Sequence, residues 1–400
     1  MKKIAFYYFL IVLTFIFSLF VGLFSFAQKE QPSRKIVVFK GGFDEKVKEE
    51  VLSKVGGEKV KDLRLINGKV ALLTPSAERL LKQSKEVLRI DEDVIVEALD
   101  KVEAIKVQGA KPQPPQTLPW GIDRVDAEQI WNLTTGDPIK VAIIDTGIDL
   151  KHPDMQANIK GGINTIYPWK SPNDDNGHGT HVAGIVAAIN NSIGVVGVGP
   201  NIDLYAVKVL GANGSGYLSD VIEGLDWVVQ QKQNQGEDWV INMSLGTSAD
   251  IQSFHDAILR VYNAGITMVA AAGNTGGAVT YPAAYPEVIA VSATDQNNQL
   301  ASWSSRGPEV DLAAPGVSIY STYKGQTYAT LSGTSMAAPH VTGVAALVLD
   351  RKTCDFNLDG VCTPSEVQQK LEGSAIDLGS PGKDNLYGSG LVNAVNALQP

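Results

Sequence analysis

The residues best suited to chemistry begin with one serine. Ser335 lies in Gly333-Thr334-Ser335-Met336-Ala337-Ala338-Pro339-His340, directly before the apolar run Val341 to Leu349 that reads as a buried helix. A hydroxyl at a helix N-terminus sits among unpaired backbone N–H groups, which favour negative charge developing beside it. Serine is also an ordinary cap for a tightly packed helix start. A base and a carboxylate elsewhere in the chain would separate the two readings, because a serine hydroxyl is a poor nucleophile until a base takes its proton.

Both are present upstream. Of the five histidines, two stand in Asn176-Gly177-His178-Gly179-Thr180-His181, just before a helical stretch. Flanking glycines give the His178 ring room to approach another element, so His178 is the candidate general base. His181 reads as a packing residue at the helix start. The pair lacks the His-x-x-x-His spacing that places two zinc ligands on one helical face. His152, His255 and His340 read as packing or surface histidines. Asp145 follows the apolar strand Val141-Ala142-Ile143-Ile144 and precedes Thr146-Gly147, at a strand's carboxyl end. There it is either an oriented carboxylate or an ordinary turn-capping aspartate.

The elements that must position these residues alternate. Lys140–Ile144, Leu204–Val209, Trp239–Met243, Thr267–Ala271 and Val288–Val291 read as strands; Val182–Ile189, Ser219–Gln231 and Ile251–Asn263 have helix length and periodicity. This order predicts an α/β fold, a mainly parallel sheet with helices on both faces and its active site at the strands' carboxyl ends. Upstream, strands at Lys35–Lys40, Val70–Leu73 and Val94–Leu99 with helices at Asp44–Lys54 and Ser76–Gln83 predict a small α+β unit. Lys111-Pro112-Gln113-Pro114-Pro115 follows as a proline-dense linker.

With 44% apolar and 19% charged residues, the composition is that of a globular protein, and a formal charge of -9 argues against nucleic acid as partner. Met1-Lys2-Lys3, the uncharged run Ile4–Phe26 and the small-x-small end Ser25-Phe26-Ala27 predict a secretory signal peptide over residues 1–27. The length of the apolar run also allows a membrane anchor. Either way the folded part lies outside the cytoplasm, where Cys354 and Cys362 could form a disulfide.

Asp145-Thr146-Gly147, then Gly177-His178-Gly179-Thr180-His181-Val182-Ala183-Gly184, then the Ser335 octapeptide resemble the subtilisin-like serine proteases in content and order. The resemblance runs from about Gln116 to the C-terminus. It implies a serine endopeptidase in which Ser335 is the nucleophile, His178 the base and Asp145 its orienting carboxylate. Ala270-Ala271-Ala272-Gly273-Asn274 matches the family's oxyanion segment, so the Asn274 side-chain amide and the Ser335 backbone N–H would hold the tetrahedral intermediate, with Gly273 among the substrate-binding residues. Gly214-Ser215-Gly216 resembles the edge that pairs with an extended polypeptide substrate, and Ser244-Leu245-Gly246 the opposite wall of that cleft. With uncharged Thr247 and Thr275 near the pocket, a broad or apolar preference is expected at the residue before the cut.

The resemblance also implies structural calcium. Ile189 to Val195 is similar to the family's calcium loop, with Asn191 and the Ile189, Ile193 and Val195 carbonyls as ligands beside Gln116 and Asp154. A second site is expected from sequence pattern alone: Asp355, Asn357, Asp359, Val361 and Glu366 occupy ligand positions of a twelve-residue EF-hand-like loop over 355–366. Residues 28–99 are similar to the family's propeptide, an intramolecular inhibitor and folding aid, and 100–115 would link it to the catalytic domain at 116–400. Autoprocessing is expected at or after Leu99, and the mature enzyme is expected to be a monomer. An α/β-hydrolase esterase is excluded by residue order, since that fold places its serine before the acid and the histidine. A catalytically silent scaffold of the same fold is the rival, because fold alone does not carry activity.

Overall fold

The computed structural model describes residues 30–99 and 112–399, so the expected signal peptide and most of the linker lie outside the described residues. The small unit runs β1 (Ser33–Phe39), α1 (Glu45–Lys54), β2 (Glu58–Leu63), β3 (Gly68–Leu73), α2 (Pro75–Leu81) and β4 (Val87–Glu92). Its four strands form an antiparallel sheet in the order β2-β3-β1-β4. Alternate β1 residues take opposite faces, as a pleated strand requires. Val37 and Phe39 pack with Leu52, Leu73 and Leu81 from the unit's own helices and strands. Ile36 and Val38 face the other way, into a core shared with the larger unit.

After β5 (Ile95–Ala98), the larger unit continues through β6 (Lys140–Asp145), β7 (Ile159–Asn164), α3 (His178–Ala187), β8 (Asp203–Lys208), β9 (Ser215–Tyr217), α4 (Leu218–Gln235), β10 (Trp239–Met243) and β11 (Leu245–Gly246). Then come α5 (Gln252–Asn263), β12 (Thr267–Ala271), β13 (Ile289–Thr294), β14 (Leu312–Pro315), β15 (Ile319–Tyr323), β16 (Thr327–Leu331), α6 (Thr334–Arg351) and α7 (Pro364–Gly373). Seven strands pair in parallel in the order β14-β13-β12-β10-β6-β8-β7. Every β6 residue is buried. Val141 and Ile143 pack toward α3 and α6, whereas Ala142 and Ile144 pack toward α4 and α5. The parallel sheet is thus covered on both faces, as the alternation of strands and helices predicts.

Two boundaries differ from the sequence reading in ways that matter to the site. Helix α3 begins at His178, four residues before the predicted start, and α6 begins at Thr334 and carries Pro339 within it. Proline has no N–H to bond the carbonyl four residues back, so the Ser335 carbonyl is released from the helix ladder. It accepts instead from Ser244 Oγ at 2.8 Å. Strands β2, β4, β7, β14, β15 and β16 have no counterpart in the sequence reading: β2 is mostly charged, β7 contains Gly161-Gly162, and β14 is only four residues long.

The Phe39 side chain is 2% exposed at the centre of the small unit's own core. Phe39→Ala in the full chain is expected to cost that unit about 3–5 kcal/mol. Urea unfolding should then show an early transition of the small unit ahead of the larger one.

Candidate active site

Asp145 ends β6 fully buried, and His178 opens α3 nearly so. His178 Nδ1 lies 2.8 and 2.9 Å from the two Asp145 carboxylate oxygens. With Nδ1–H donating to the carboxylate, Nε2 is left as the basic nitrogen. The close approach is steric as well as electrostatic. A Cβ at residue 179 would stand 2.2 Å from the Gly147 carbonyl oxygen, and one at residue 177 would stand 2.3 Å from the Tyr323 ring, so both flanking glycines are required.

Ser335 is buried in the first turn of α6, a helix that packs on α3, β10, β12 and β13. Its hydroxyl donates to the Leu99 carbonyl oxygen at 2.5 Å, and the Asn274 side-chain amide donates to the same oxygen at 2.5 Å. One peptide carbonyl is therefore gripped by both candidate groups. Asn274 is oriented from behind, its Oδ1 accepting from the Thr334 N–H and hydroxyl at 2.9 Å each. Thr334 Oγ1 also accepts from Gly273 N at 3.1 Å, which ties Gly273 into the same support.

Leu99 reaches this position because the preceding residues form the middle strand of a small antiparallel sheet, β11-β5-β9. Val96 and Glu97 pair with Gly216 and Ser215, and Ala98 and Glu97 with Leu245 and Gly246. Ala98 N donates to Gly214 O at 2.9 Å and Leu99 N to Ser244 O at 3.2 Å. The two predicted cleft walls thus hold one extended strand between them. A Cβ at residue 246 would stand 3.1 Å from Leu99 Cδ1, so Gly246 makes room for the side chain next to the gripped carbonyl.

Sequence comparison accords with this geometry. Residues 136–390 match the Subtilase family. Among similar proteins, the Thermostable alkaline protease of Halalkalibacterium halodurans is 46% identical over 317 residues, 79% of this chain and 81% of that one. Subtilisin Savinase of Lederbergia lenta is 49% identical over 281 residues, 70% of this chain and 98% of its own length. Subtilisin J of Geobacillus stearothermophilus is 40% identical across 88% of this chain and 86% of its own length. The chain belongs to the subtilase family. It is a serine endopeptidase of the subtilisin type.

Several supports of this subtilase site escaped the sequence reading. Asp174, buried, accepts from Thr146 Oγ1, the Asn176 and Gly177 N–H groups, and Thr180 N and Oγ1, pinning the turn that delivers His178. Burial raises its pKa above the usual carboxylate range. Beneath Ser335, Thr342 Oγ1 donates to Asn242 Oδ1 at 2.8 Å, Asn242 Nδ2 donates to Ser244 Oγ at 2.9 Å, and Ser244 Oγ donates to the Ser335 carbonyl. The sequence offered only scattered Thr, Asn and Ser residues within apolar strands and helices, a signal too common to select.

The remaining histidines are structural. His181 Nε2 lies 3.0 and 3.1 Å from the Ile319 and Ala329 carbonyl oxygens, and His340 Nδ1 lies 2.8 Å from Met336 O. Burial depresses their pKa values to about 3 and about 4. His152 is buried with Nε2 2.9 Å from Thr327 O, and His255 stacks on Tyr285 and meets Glu287 at 3.0 Å.

The residues expected around calcium cluster in two places. Asp154 is fully buried, and among the described residues no lysine or arginine pairs with it. Burial raises its pKa to about 6. Around it, Asn191 Nδ2 and Val195 N donate to its carboxylate at 2.8 and 2.9 Å, Ile189 N donates to its backbone carbonyl, and Gln116 Oε1 accepts from Asn191 N. Asn191 Oδ1 accepts from Ile193 N at 2.7 Å. In the second place, Asp355, Asn357 and Asp359 fold over their own loop, taking the Asp359, Gly360 and Val361 N–H groups. Glu366 caps α7 through Thr363. Cys354, just before this loop, and Cys362, within it, form a disulfide that closes its first part. Among the described residues, no three His, Cys, Asp or Glu side chains yet converge on one point.

Thr342→Val keeps shape but strips Asn242 Oδ1 of a buried donor, an expected loss of about 1–3 kcal/mol in urea unfolding. The two buried imidazoles at 181 and 340 stay neutral above about pH 4. The unfolded chain protonates them from about pH 6.5 downward, so their burial costs stability as pH falls from about 6.5 toward 4. His340→Gln is therefore expected to flatten the fall in Tm across that interval relative to the parent.

Proposed function

We propose that the protein cleaves polypeptides through Ser335, His178 and Asp145, with Asn274 holding the oxyanion, and that it matures by cutting itself after Leu99. The observation that carries this reading is the Leu99 carbonyl, held at once by the Ser335 hydroxyl and the Asn274 amide. Ser335 Oγ attacks the carbonyl carbon while His178 Nε2 takes its proton, and Asp145 stabilises the imidazolium. Negative charge then builds on the carbonyl oxygen, where Asn274 Nδ2 and the Ser335 N–H receive it. His178 returns the proton to the leaving amine, and a water deprotonated by the same ring releases the acyl group. The backbone of β9 and β11 holds the chain being cut as an added strand, a grip that reads main chain more than side chain. An apolar or broad preference at the residue before the cut follows from Leu99 lying against Gly246 with no charge contributed by Thr247 or Thr275.

On this reading residues 28–99 are the inhibitory propeptide, 100–115 the processing linker and 116–400 the catalytic domain. The leader over residues 1–27 directs secretion. The mature enzyme is a monomer.

Asp154 is a buried carboxylate with no cationic partner among the described residues, met only by the neutral donors Asn191 Nδ2, Val195 N and Tyr328 Oη, and an uncompensated buried charge of this kind fits a hard divalent ion. Gln116, Asp154, Asn191 and the Ile189, Ile193 and Val195 carbonyls would hold one calcium there. The 355–366 loop would take a second through Asp355, Asn357, Asp359, Glu366 and the Val361 carbonyl, once its carboxylates turn from the loop N–H groups. Both ions neutralise charge and fix loops, and neither enters the reaction.

Casein hydrolysis tests the catalytic reading. Ser335→Ala should abolish it. Asn274→Ala should lower kcat roughly 10²–10³-fold with little change in KM, a magnitude known from subtilisin itself. Full activity in either variant, or none in the parent freed of its small domain, would favour the silent scaffold. For calcium, titration calorimetry on the metal-stripped Ser335→Ala chain should find two ions. Asp154→Asn and Asp355→Asn should each lose one, and chelation should lower Tm.

A further inference from the structure

The strand seated in the cleft does more than fill the pockets next to the cut. Beyond Ile95, which pairs with Tyr217, Leu218 N donates to Val94 O at 2.8 Å, so the main-chain ladder continues one residue further. At the next residue the contact changes from main chain to side chain. The Asp93 carboxylate accepts from Ser219 N at 2.9 Å and from Ser219 Oγ at 2.8 Å. Its side chain has no solvent exposure. Counting Leu99 as the first residue before the cut, Asp93 is the seventh.

Asp93 also receives a 2.8 Å ion pair from Arg34, whose guanidinium lies 4.0 Å over the Tyr217 ring. Arg34 belongs to the small unit and would leave with it. Ser219, Leu218 and Tyr217 belong to the larger unit and would stay. With the small unit gone, the same backbone and hydroxyl donors face the cleft's far end, in register with the strand ladder.

We infer that the mature enzyme has an extended subsite at Ser219 that selects an acidic residue seven positions before the bond it cuts. The inference rests on the proposed cut after Leu99, which sets the register. A carboxylate at this place gains two charge-assisted hydrogen bonds at the start of the eighteen-residue helix α4. Asp220 and Glu223 lie in the same first turns, and the small unit's Lys61, which pairs with both, would be absent. Their charge opposes a second carboxylate, so the net preference is modest, about three- to fivefold in kcat/KM.

The test uses mature enzyme from the full chain and chromogenic peptides. One has the sequence Asp-Val-Ile-Val-Glu-Ala-Leu before the leaving group, a second has Asn for Asp, a third has one residue inserted after Asp, and a fourth begins at the second Val. Asp over Asn should be favoured about three- to fivefold at low salt, with the advantage shrinking in 0.5 M NaCl. The inserted residue should erase it. Ser219→Asp, which suits a helix start yet places a carboxylate on the subsite, should bring the ratio to one or below. A ratio of one in the parent, or one unchanged in Ser219→Asp or by the insertion, overturns the subsite and leaves Asp93 as a propeptide contact only. No cleavage of the fourth peptide, which cannot reach Ser219, would instead overturn the catalytic reading itself.

Discussion

Polar groups buried at the carboxyl end of a parallel sheet must find partners there, because each one left unpaired costs about 1–3 kcal/mol. That constraint shapes this molecule's working face. Asp145 is met by His178 and the Thr146 N–H, Asp174 by five donors from Thr146, the turn before α3 and the first turn of α3 itself, and the Ser335 carbonyl by Ser244. Each of these groups is therefore held by a neighbour that is itself held, and Pro339 makes one of those links by taking a carbonyl out of the helix ladder. Placement to a few tenths of an ångström is what proton transfer and oxyanion stabilisation need.

The small unit meets the larger one through the same logic in charged form. Asp93 and Asp91 receive Ser219 at the start of α4 and Ser253 at the start of α5, while Arg89 joins Asp91 to Asp256 and Lys61 spans Asp220 and Glu223. Apolar residues Ile36, Val38, Leu63 and Val70 close the same interface. A parallel sheet built from contacts distant in sequence folds slowly. If the small unit is the propeptide proposed above, its Asp93 and Asp91, set on the starts of two crossover helices, would lower the entropic cost of bringing those helices side by side.

Much of this was legible in the sequence because the signals were local. Asp145 stands directly after the apolar run Val141–Ile144, His178 between glycines, and Ser335 before an apolar helix; the α/β class follows from strand and helix alternation. The legible part ended where contacts became long-range. Asp174, Asn242 and Thr342 carry no local mark, and their roles come from partners up to a hundred residues away. Strand β2, with Glu58, Lys59, Lys61 and Asp62, hides its identity because its charges are used in ion pairs with the small unit's neighbours and with α4. The early start of α3 was missed because glycine and histidine are poor helix formers, and packing against β6 and α6 overrides that preference.

The proposed maturation makes Leu99 the acyl side of the first bond cut. Intact-mass measurement over time on the chain lacking residues 1–27, parent beside Ser335→Ala, tests it most directly. The parent is expected to yield an N-terminal fragment ending at Leu99 while the variant stays whole. A parent that stays whole, or that is cut first at another bond, would contradict it.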